Sequence, residues 1–402
     1  MYHCVLFILI GMLGFSSALL INYTEQKSSG VLNSDPKQVS KIMIKGVWIS
    51  YLELQEFPNR YEINQYNYRK FIEDLYDNCV SHGMNHVFVH VRPFADALYP
   101  SDYFPWSHII TGQQGKNPGF DPMKIMIEEA HKRELKFHAW INPYRVNNIE
   151  NRFKLDKTSN ISIWMNHNDN RNVIQYNQQN YLNPSKISVQ EYIIKGIKEI
   201  IENYPVDGIH FDDYFYPSFN KENIYNSFDY IEYNKYRQST MKRNKSTMSL
   251  PDWRRNNVSV LVNKIYGVIQ DHNENYKKKI IFGISPVGNL DCLINDYQYY
   301  VDIHRFVNKN GYIDYICPQI YWGFKNPEAP FDKVLNRWYK LCKDTNVDLY
   351  VGLPVYKIGT KDYKYEKKEF KDSKVIDKMI KKCKKKNIKG LIYYRYDFLN
   401  RL

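Results

Sequence analysis

Residues 206–217 have the sequence VDGIHFDDYFYP, which is the clearest indication of the fold. The stretch begins with a β-rich apolar run and ends in two adjacent acids, Asp212 and Asp213, which are followed by aromatic residues. Short apolar runs with the same polar or aromatic ends recur along the chain, and longer amphipathic segments separate them. This alternation predicts βα units around a parallel sheet.

Eight strands are predicted in this way. In chain order they are KGVWIS from Lys45, HVFVHVRP from His86, KFHAWINP from Lys136, VDGIHFDDY from Val206, KIIFGISP from Lys279, IDYICPQIYW from Ile313, VDLYVGLP from Val347 and KGLIYYRY from Lys389. The predicted helices between them cover residues 68–82, 123–134, 189–203, 253–271, 297–308, 331–344 and 373–386. The pattern favours an α/β fold, a closed (β/α)₈ TIM barrel, over an open doubly wound sheet. Because the sequence ends soon after the eighth strand, we expect the last helix to be short or missing.

The N-terminal region predicts export. Residues 5–21, VLFILIGMLGFSSALLI, are uncharged and apolar, and a polar stretch follows them. We therefore assign residues 1–21 to a signal peptide or an N-terminal membrane anchor, residues 22–44 to a polar linker and residues 45–402 to the barrel. This organisation predicts a protein that is secreted or anchored at the outer face of the cytoplasmic membrane.

The formal net charge of +13 is compatible with an anionic partner such as nucleic acid, a membrane surface or an acidic wall polymer. Residues 361–389 are rich in lysine, but Glu366, Glu369, Asp372 and Asp377 interleave with the lysines, which favours a solvated helical face. Zinc-finger spacing, a phosphate-binding glycine loop and heptads are absent from the sequence, so we do not expect a nucleic-acid partner.

The cysteines do not predict a metal site or a dense disulfide framework, because they are widely spaced and no CxxC occurs. Cys4 lies in the N-terminal region, and the other five are expected to be mostly buried thiols: Cys79, Cys292, Cys317, Cys342 and Cys383. No cofactor and no metal are predicted.

Polar and aromatic residues concentrate at the ends of the predicted strands, where a barrel of this type places its functional groups. The predicted substrate-binding residues are Arg92, Asp96, His138, Asn142, Arg145, His210, Tyr214, Gln319, Tyr321 and Trp322. The fifth, seventh and eighth strands add Ser285, Tyr356 and Tyr394. Since these strands end at one face of a barrel, we expect the side chains to converge there.

The acid pair of the fourth strand is predicted to be catalytic. Strand alternation places His210 and Asp212 on the side of the barrel axis and Asp213 on the other side. Two adjacent acids repel unless one is protonated or paired, so one can donate a proton while the other stays ionised. The alternative for Asp213 is a salt bridge to a basic residue of a neighbouring loop.

A second catalytic group is harder to find. Glycosidases generally use two carboxyl groups, about 5 Å apart when a covalent intermediate forms and about 6.5 to 9.5 Å apart when water attacks directly. The seventh strand ends in LPVYKIG and offers no acid. This leaves Asp96, Asp291, Asp296 or Asp397, or else the 2-acetamido oxygen of the substrate itself, oriented by Asp212 or Tyr321.

Several motifs together resemble the glycosyl-hydrolase-like family 10 proteins, a group of bacterial barrel domains. They are GVWIS, FVHVRPFADALYPSDYFPWSHIITGQQGKNPGFDPM, EEAHKRELKFHAWINPYRV, VDGIHFDDYFYP, WRRNNV, FGISPVG and YIDYICPQIYW. The resemblance extends over residues 45–398. It implies a TIM-barrel glycosidase, and some members resemble hydrolases of peptidoglycan glycan strands from which the peptides have been removed.

Such strands are N-acetylated, which would suit participation of the acetamido group. The fourth-strand motif is also distantly similar to the DGxDxDxE motif of chitinase-type barrels. Tyr214 stands where that motif has its last acid, so the resemblance does not imply an unmodified chitinase mechanism.

Two hypotheses about function follow. The first is a glycoside hydrolase that acts on a polysaccharide, the N-acetylhexosamine-containing glycan strands of the bacterial cell wall, with Asp212 or Asp213 as general acid. The second is a carbohydrate-binding barrel without turnover, which the missing acid of the seventh strand supports. An esterase or amidase is disfavoured, because the sequence has no Gly-x-Ser-x-Gly motif and no Cys and His pairing.

Overall fold

A computed structural model of the chain describes residues 43–147, 153–167, 171–213, 215–217, 219, 228–294, 299–360, 366 and 368–402. Eight parallel strands in this part close into a barrel in the order of the sequence, with Ile44 of the first strand opposite Gly390 of the last. The strands are β1 (Ile44–Ile49), β2 (His86–Arg92), β3 (Lys136–Ile141), β4 (Gly208–Phe211), β5 (Ile281–Ile284), β6 (Tyr315–Ile316), β7 (Asp348–Leu353) and β8 (Gly390–Tyr393). The predicted (β/α)₈ barrel is confirmed.

Helices surround the barrel. In chain order they are α1 (Tyr51–Leu54), α2 (Phe57–Arg60), α3 (Gln65–Ser81), α4 (His108–Thr111), α5 (Pro122–Lys132), α6 (Asn160–Asn166), α7 (Ile187–Asn203), α8 (Tyr230–Met241), α9 (Leu250–Tyr276), α10 (Leu290–Ile294), α11 (Ile303–Asn308), α12 (Phe331–Cys342) and α13 (Lys374–Lys385). A short hairpin of Val173–Tyr176 and Gln179–Leu182 lies in the β3–α7 connection. A 3₁₀ turn, Tyr396–Arg401, follows β8, so the expected reduction of the last helix is confirmed.

Local sequence explains where the main helices begin. Asp121 caps α5 by accepting the backbone N–H of Lys124 at 3.0 Å, and Pro122 occupies the first helical position. Ser249 caps α9 in the same manner through the N–H of Asp252. Capping of this type satisfies backbone donors that the first helical turn leaves without partners.

The inside of the barrel is filled by large side chains below its mouth. Phe88 stacks on His138 with ring centroids 4.2 Å apart, and Tyr315 stacks on Tyr350 at 4.5 Å. Gly283 leaves the room that Tyr315 needs, since a Cβ at residue 283 would lie 2.3 Å from its ring. The packed interior leaves the carboxyl ends of the strands as the place for a site.

The five cysteines of the barrel are free thiols in the structure. Cys79, Cys317, Cys342 and Cys383 are buried and unpaired, in agreement with the expectation of buried thiols, and Cys292 is half-buried. Residues 1–21 and most of the predicted linker lie outside the described residues. None of the helices in the described part is both long enough and apolar enough to span a bilayer.

Candidate active site

Asp212 lies at the mouth of the barrel, directly after β4. Its Oδ2 accepts a hydrogen bond from Nε1 of Trp140 at 3.1 Å, and only 3% of the residue is exposed. The Trp140 ring is itself fixed, because it stacks on His90 with ring centroids 3.3 Å apart. His90 accepts the backbone N–H of Tyr51 at its Nδ1. The orientation of the Asp212 carboxyl is therefore set by contacts from β2, β3 and the start of α1.

Asp213 also lies at the mouth and is more exposed than Asp212. Burial raises the pKa of the Asp213 carboxyl, while a hydrogen bond with Gln319 and the positive charge of Arg145 oppose this rise. The prediction that Asp213 faces away from Asp212's side of the strand is wrong. The reason is that strand β4 ends at Phe211, so the alternation of side chains between the two faces of the strand does not extend to Asp213.

A group of tyrosines forms one wall of the mouth. Tyr321 stacks on Tyr394 with centroids 5.4 Å apart and meets Tyr356 edge-on at 5.7 Å. Burial raises the pKa of Tyr394 to about 12 and that of Tyr321 well above its ordinary value, so both hydroxyls stay protonated. Tyr321 Oη has no hydrogen-bond partner among the described residues. Its oxygen is buried at the edge of the tyrosine group.

His210 does not face the mouth. Its Nε2 accepts from Trp48 Nε1 at 3.0 Å, and its Nδ1 lies 2.8 Å from the Tyr315 hydroxyl. Since an indole nitrogen only donates, the imidazole proton must sit on Nδ1. Burial lowers the pKa of His210 to about 3, so the ring is neutral. With both nitrogens occupied inside the barrel, His210 cannot contact a substrate, which corrects the prediction.

His138, Arg92 and Asp96 are also placed away from the mouth. His138 is buried in the barrel interior against Phe88. A register shift between His90 and Arg92 turns Arg92 outward, where its guanidinium lies 3.9 Å above the Phe104 ring. Asp96 is fully buried beside His108 and Gln114. The predicted ring around the acids is therefore wrong at these positions, because alternation along β2 is broken and the β2 loop folds inward.

Other predicted residues do reach the carboxyl ends of the strands. Asn142 and Arg145 both donate to the backbone oxygen of Pro93, at 3.1 and 2.9 Å, and so hold the end of β2. Gln319 donates to the backbone oxygen of Ser285 at 2.9 Å, which places its amide between β5 and β6. Trp322 is half-buried next to Gly288. Tyr214 lies outside the described residues.

The proposed sources of a second carboxylate do not join the acid pair. Asp291 forms a surface ion pair with Arg337 at 2.7 Å, and Asp397 lies 3.0 Å from Arg395. Asp296 lies outside the described residues. Among the residues that the structure describes, no group of three or more His, Cys, Asp or Glu side chains could hold a metal ion.

Sequence reasoning missed Glu53, a buried acid at the carboxyl end of β1. Its Oε2 accepts the Ser50 hydroxyl and backbone N–H, and its Oε1 pairs with Arg395. Burial raises the pKa of Glu53, and the charge of Arg395 partly offsets this rise. The Ser-x-x-Glu spacing of a capping box was the available signal. His90 was missed as well, and no sequence signal marks it.

Comparison with known proteins gives a consistent result. Residues 43–372 match the family described as Glycosyl hydrolase-like 10. The chain is 36% identical over 329 residues to the glycosyl hydrolase YngK of Bacillus subtilis (strain 168), a match that covers 79% of this chain and 61% of that protein. It is 31% identical over 398 residues to the glycosyl hydrolase DigH of Escherichia coli (strain K12), covering 90% and 85% of the two chains.

Solved structures share the fold at low sequence identity. The PgaB (BpsB) glycoside hydrolase domain from Bordetella bronchiseptica superposes with a TM-score of 0.56 and 10% identity, covering 89% of this chain and 96% of that domain. An endo-1,4-beta-mannanase from Rhizomucor miehei gives a TM-score of 0.51 at 10% identity, covering 88% and 86%. Identities this low establish the common barrel and nothing about the substrate.

Proposed function

The chain belongs to the glycosyl hydrolase-like 10 family, and from this membership we propose that it hydrolyses glycosidic bonds in a polysaccharide. The proposed substrate is the N-acetylhexosamine-containing glycan strand of the bacterial cell wall. We propose that the protein acts outside the cytoplasmic membrane, either secreted or anchored at the outer face of that membrane. The family membership supports the reaction class, and the arrangement of the acid pair supports the roles within it.

The main observation that supports these roles is that the two adjacent carboxyl groups have different surroundings. Asp212 receives a hydrogen bond from the Trp140 indole, whereas burial raises the pKa of Asp213, which favours the protonated form of Asp213, and Gln319 and Arg145 oppose this rise only in part. Neighbouring acids whose surroundings differ in this way are typical of an acid and an anionic partner in catalysis. We therefore assign the general acid to Asp213.

In the proposed reaction, Asp213 donates its proton to the glycosidic oxygen while the bond from that oxygen to C1 breaks. The 2-acetamido oxygen of the same sugar attacks C1, and ionised Asp212 stabilises the positive charge that develops on the acetamido group. Water then opens this intermediate, and Asp213 accepts a proton back from the water. Asp96, Asp291 and Asp397 are engaged in other contacts, which supports participation of the substrate over a second protein carboxylate.

The tyrosine wall fits a ring-shaped, hydroxyl-rich ligand. The stacked faces of Tyr321 and Tyr394 offer apolar surface, and the Tyr321 hydroxyl, which has no partner among the described residues, can donate to the acetamido oxygen. Gln319 can contribute a further polar contact beside Asp213. Arg145 acts at longer range through its charge.

The test is product analysis with purified peptide-free glycan strands and with chitin oligomers. We expect new reducing ends and shorter fragments by mass spectrometry with the unmodified chain, and none with the Asp212→Asn or Asp213→Asn variants. Asp291→Asn is the matched control, since it removes an exposed acid that pairs with Arg337 away from the acid pair. Tight binding of glycan without any product would instead establish a carbohydrate-binding barrel.

A further inference from the structure

Two of the acids that interleave with the lysines of residues 361–389 bind other parts of the barrel. Glu366 is buried, where it pairs with Lys357 at 2.6 Å and accepts the backbone N–H of Gly323 at 2.7 Å. Glu369 accepts the N–H groups of Phe324 and Lys325 at 2.9 and 3.1 Å. Both glutamates therefore hold the loop after β6 and are turned away from the lysine-rich helix. The predicted solvated helical face is confirmed, since the lysines of α13 are exposed.

Helix α13 consequently presents a strongly cationic face. Val375, Ile376, Met379 and Cys383 are buried against the barrel. The opposite face exposes Lys374, Lys378, Lys381, Lys382, Lys384 and Lys385, with Asp377 as the acid of the helix. Of these lysines, Lys374 forms an ion pair within the described part of the chain, with Asp372 at 3.9 Å. Lysines four residues apart on one helix face repel one another, so this face is suited to an anionic partner.

The cationic face continues onto the amino-terminal rim of the barrel. A cavity of about 240 Å³ lies between the ends of α12 and α13, and Lys343, Lys386 and Lys389 line it together with Asp348. Lys343 also pairs with Asp344 at 3.3 Å, so the excess positive charge of this rim comes from Lys386 and Lys389. The Lys386 ammonium lies 4.5 Å above the Tyr339 ring. The backbone oxygen of Lys389 accepts the N–H of Ile44, which ties this rim to the start of β1.

We propose that the lysine face of α13 and this rim together dock on a bilayer surface that carries anionic lipids. Clusters of exposed lysines are attracted to such surfaces, and the attraction is additive over the lysines that reach the headgroups. The apolar run at residues 5–21 predicts a signal peptide or a membrane anchor, and this favours a bilayer over a soluble polymer as the anionic partner. The acid pair lies at the opposite, carboxyl ends of the strands and stays free to meet the polysaccharide.

The experiment measures vesicle binding by the chain from Met43 to Leu402. The closed barrel, its helices and its hydrophobic core all lie within these residues, so this part keeps the contacts that close the barrel. Phosphatidylcholine vesicles with and without phosphatidylglycerol are sedimented with the protein at low and at physiological salt. We expect binding to the anionic vesicles alone, and weaker binding at the higher salt concentration.

Charge neutralisation identifies the surface. The combined variant Lys378→Gln, Lys382→Gln, Lys385→Gln and Lys389→Gln should lower the affinity for anionic vesicles at least about tenfold. The matched control replaces Lys198, Lys235, Lys242 and Lys245, which are equally exposed but belong to α7 and to the region of α8, and it should bind as the unmodified chain does. Circular dichroism checks that both variants are folded.

Three outcomes would overturn the proposal. They are equal binding to neutral and anionic vesicles, equal loss in both lysine variants, and lysine-dependent binding of soluble poly(glycerol phosphate) without binding to vesicles. The last outcome would assign the surface to a phosphate polymer. None of them bears on cleavage of glycan, which is measured separately with soluble substrate.

Discussion

The mouth of the barrel and the closed interior just below it are built from the same kinds of residue, yet only the mouth can act on a ligand. His210 and Asp212 are two residues apart on the same strand. His210 bonds to Trp48 and Tyr315 inside the barrel, whereas Asp212 is held from one side by Trp140 and lies next to the partly exposed Asp213. The position of a polar residue along the strand, inside the barrel or at its mouth, therefore determines whether it contributes to stability or to chemistry.

The largest effect is expected when one residue in each region is replaced and the losses of activity and of stability are compared. Asp213→Asn should lower kcat/KM on glycan strands about 10³-fold, because it removes the proposed general acid. Its unfolding free energy should change by less than about 1 kcal/mol. His210→Gln should have the opposite effect. Its free energy of unfolding should fall by about 1 to 3 kcal/mol, because Trp48 or Tyr315 loses its hydrogen-bond partner.

Both quantities are measured on the same preparations, by product release and by urea unfolding. Activity of the His210→Gln variant is expressed per folded molecule and should stay near that of the unmodified chain. Strong loss of activity without loss of stability in this variant would place His210 in the site and break the comparison.

A matched pair of tryptophan substitutions sharpens the comparison. Trp140 and Trp48 each donate one indole hydrogen bond, to Asp212 at the mouth and to His210 in the interior. Trp140→Phe should lower kcat about 10- to 100-fold with little change in KM, since a hydrogen bond to a charged group is lost. Trp48→Phe should lower stability and leave kcat of the folded protein unchanged. Equal effects of the two substitutions on kcat would contradict the assignment.

The interior also predicts how stability depends on pH. Burial lowers the pKa of His210 to about 3 and that of His86 to about 4, and the pKa values of His90 and His138 are lowered as well. In the unfolded chain these imidazoles titrate near pH 6.5. The unfolded state therefore binds more protons below that pH, so the free energy of unfolding should be constant above about pH 7 and should fall as the pH is lowered towards 5.

Urea unfolding at a series of pH values measures this slope. The His210→Gln variant has one buried imidazole fewer, so its stability should fall less steeply between pH 7 and 5. An identical slope in both proteins would show that His210 is not neutral in the folded state.

The smallest expected effect concerns the mouth. A proton donor acts only while it is protonated, so activity should decline as the pH rises through the raised pKa of Asp213. The Gln319 hydrogen bond favours the ionised form of Asp213. Gln319→Leu should therefore shift the alkaline limb of kcat/KM to higher pH, which a pH–rate profile detects. A shift towards lower pH would contradict the role given to Asp213.

Much of the fold could be predicted because its signals are local. Helices α7, α9, α12 and α13 lie within a few residues of the predicted ranges, since each carries its apolar face in its own sequence. The site was harder. The mouth does bring together Asp212, Asp213, Gln319 and Tyr321. Arg92, however, turns outward at a β-bulge that no residue in the sequence predicts. Glu53 and His90 were missed because their importance comes from partners on other strands.

The amino-acid sequence by itself determined the closed barrel, its eight strands and the acid pair after the fourth of them, because period and polarity are properties of neighbouring residues. Only the tertiary structure decided which polar groups face solvent and which are sealed inside. The partners of His210 lie 162 and 105 residues away in the sequence, and Glu366 and Glu369, which interleave with lysines in the sequence, bind the loop after β6. Burial and pairing depend on such distant contacts, and a linear pattern does not contain them.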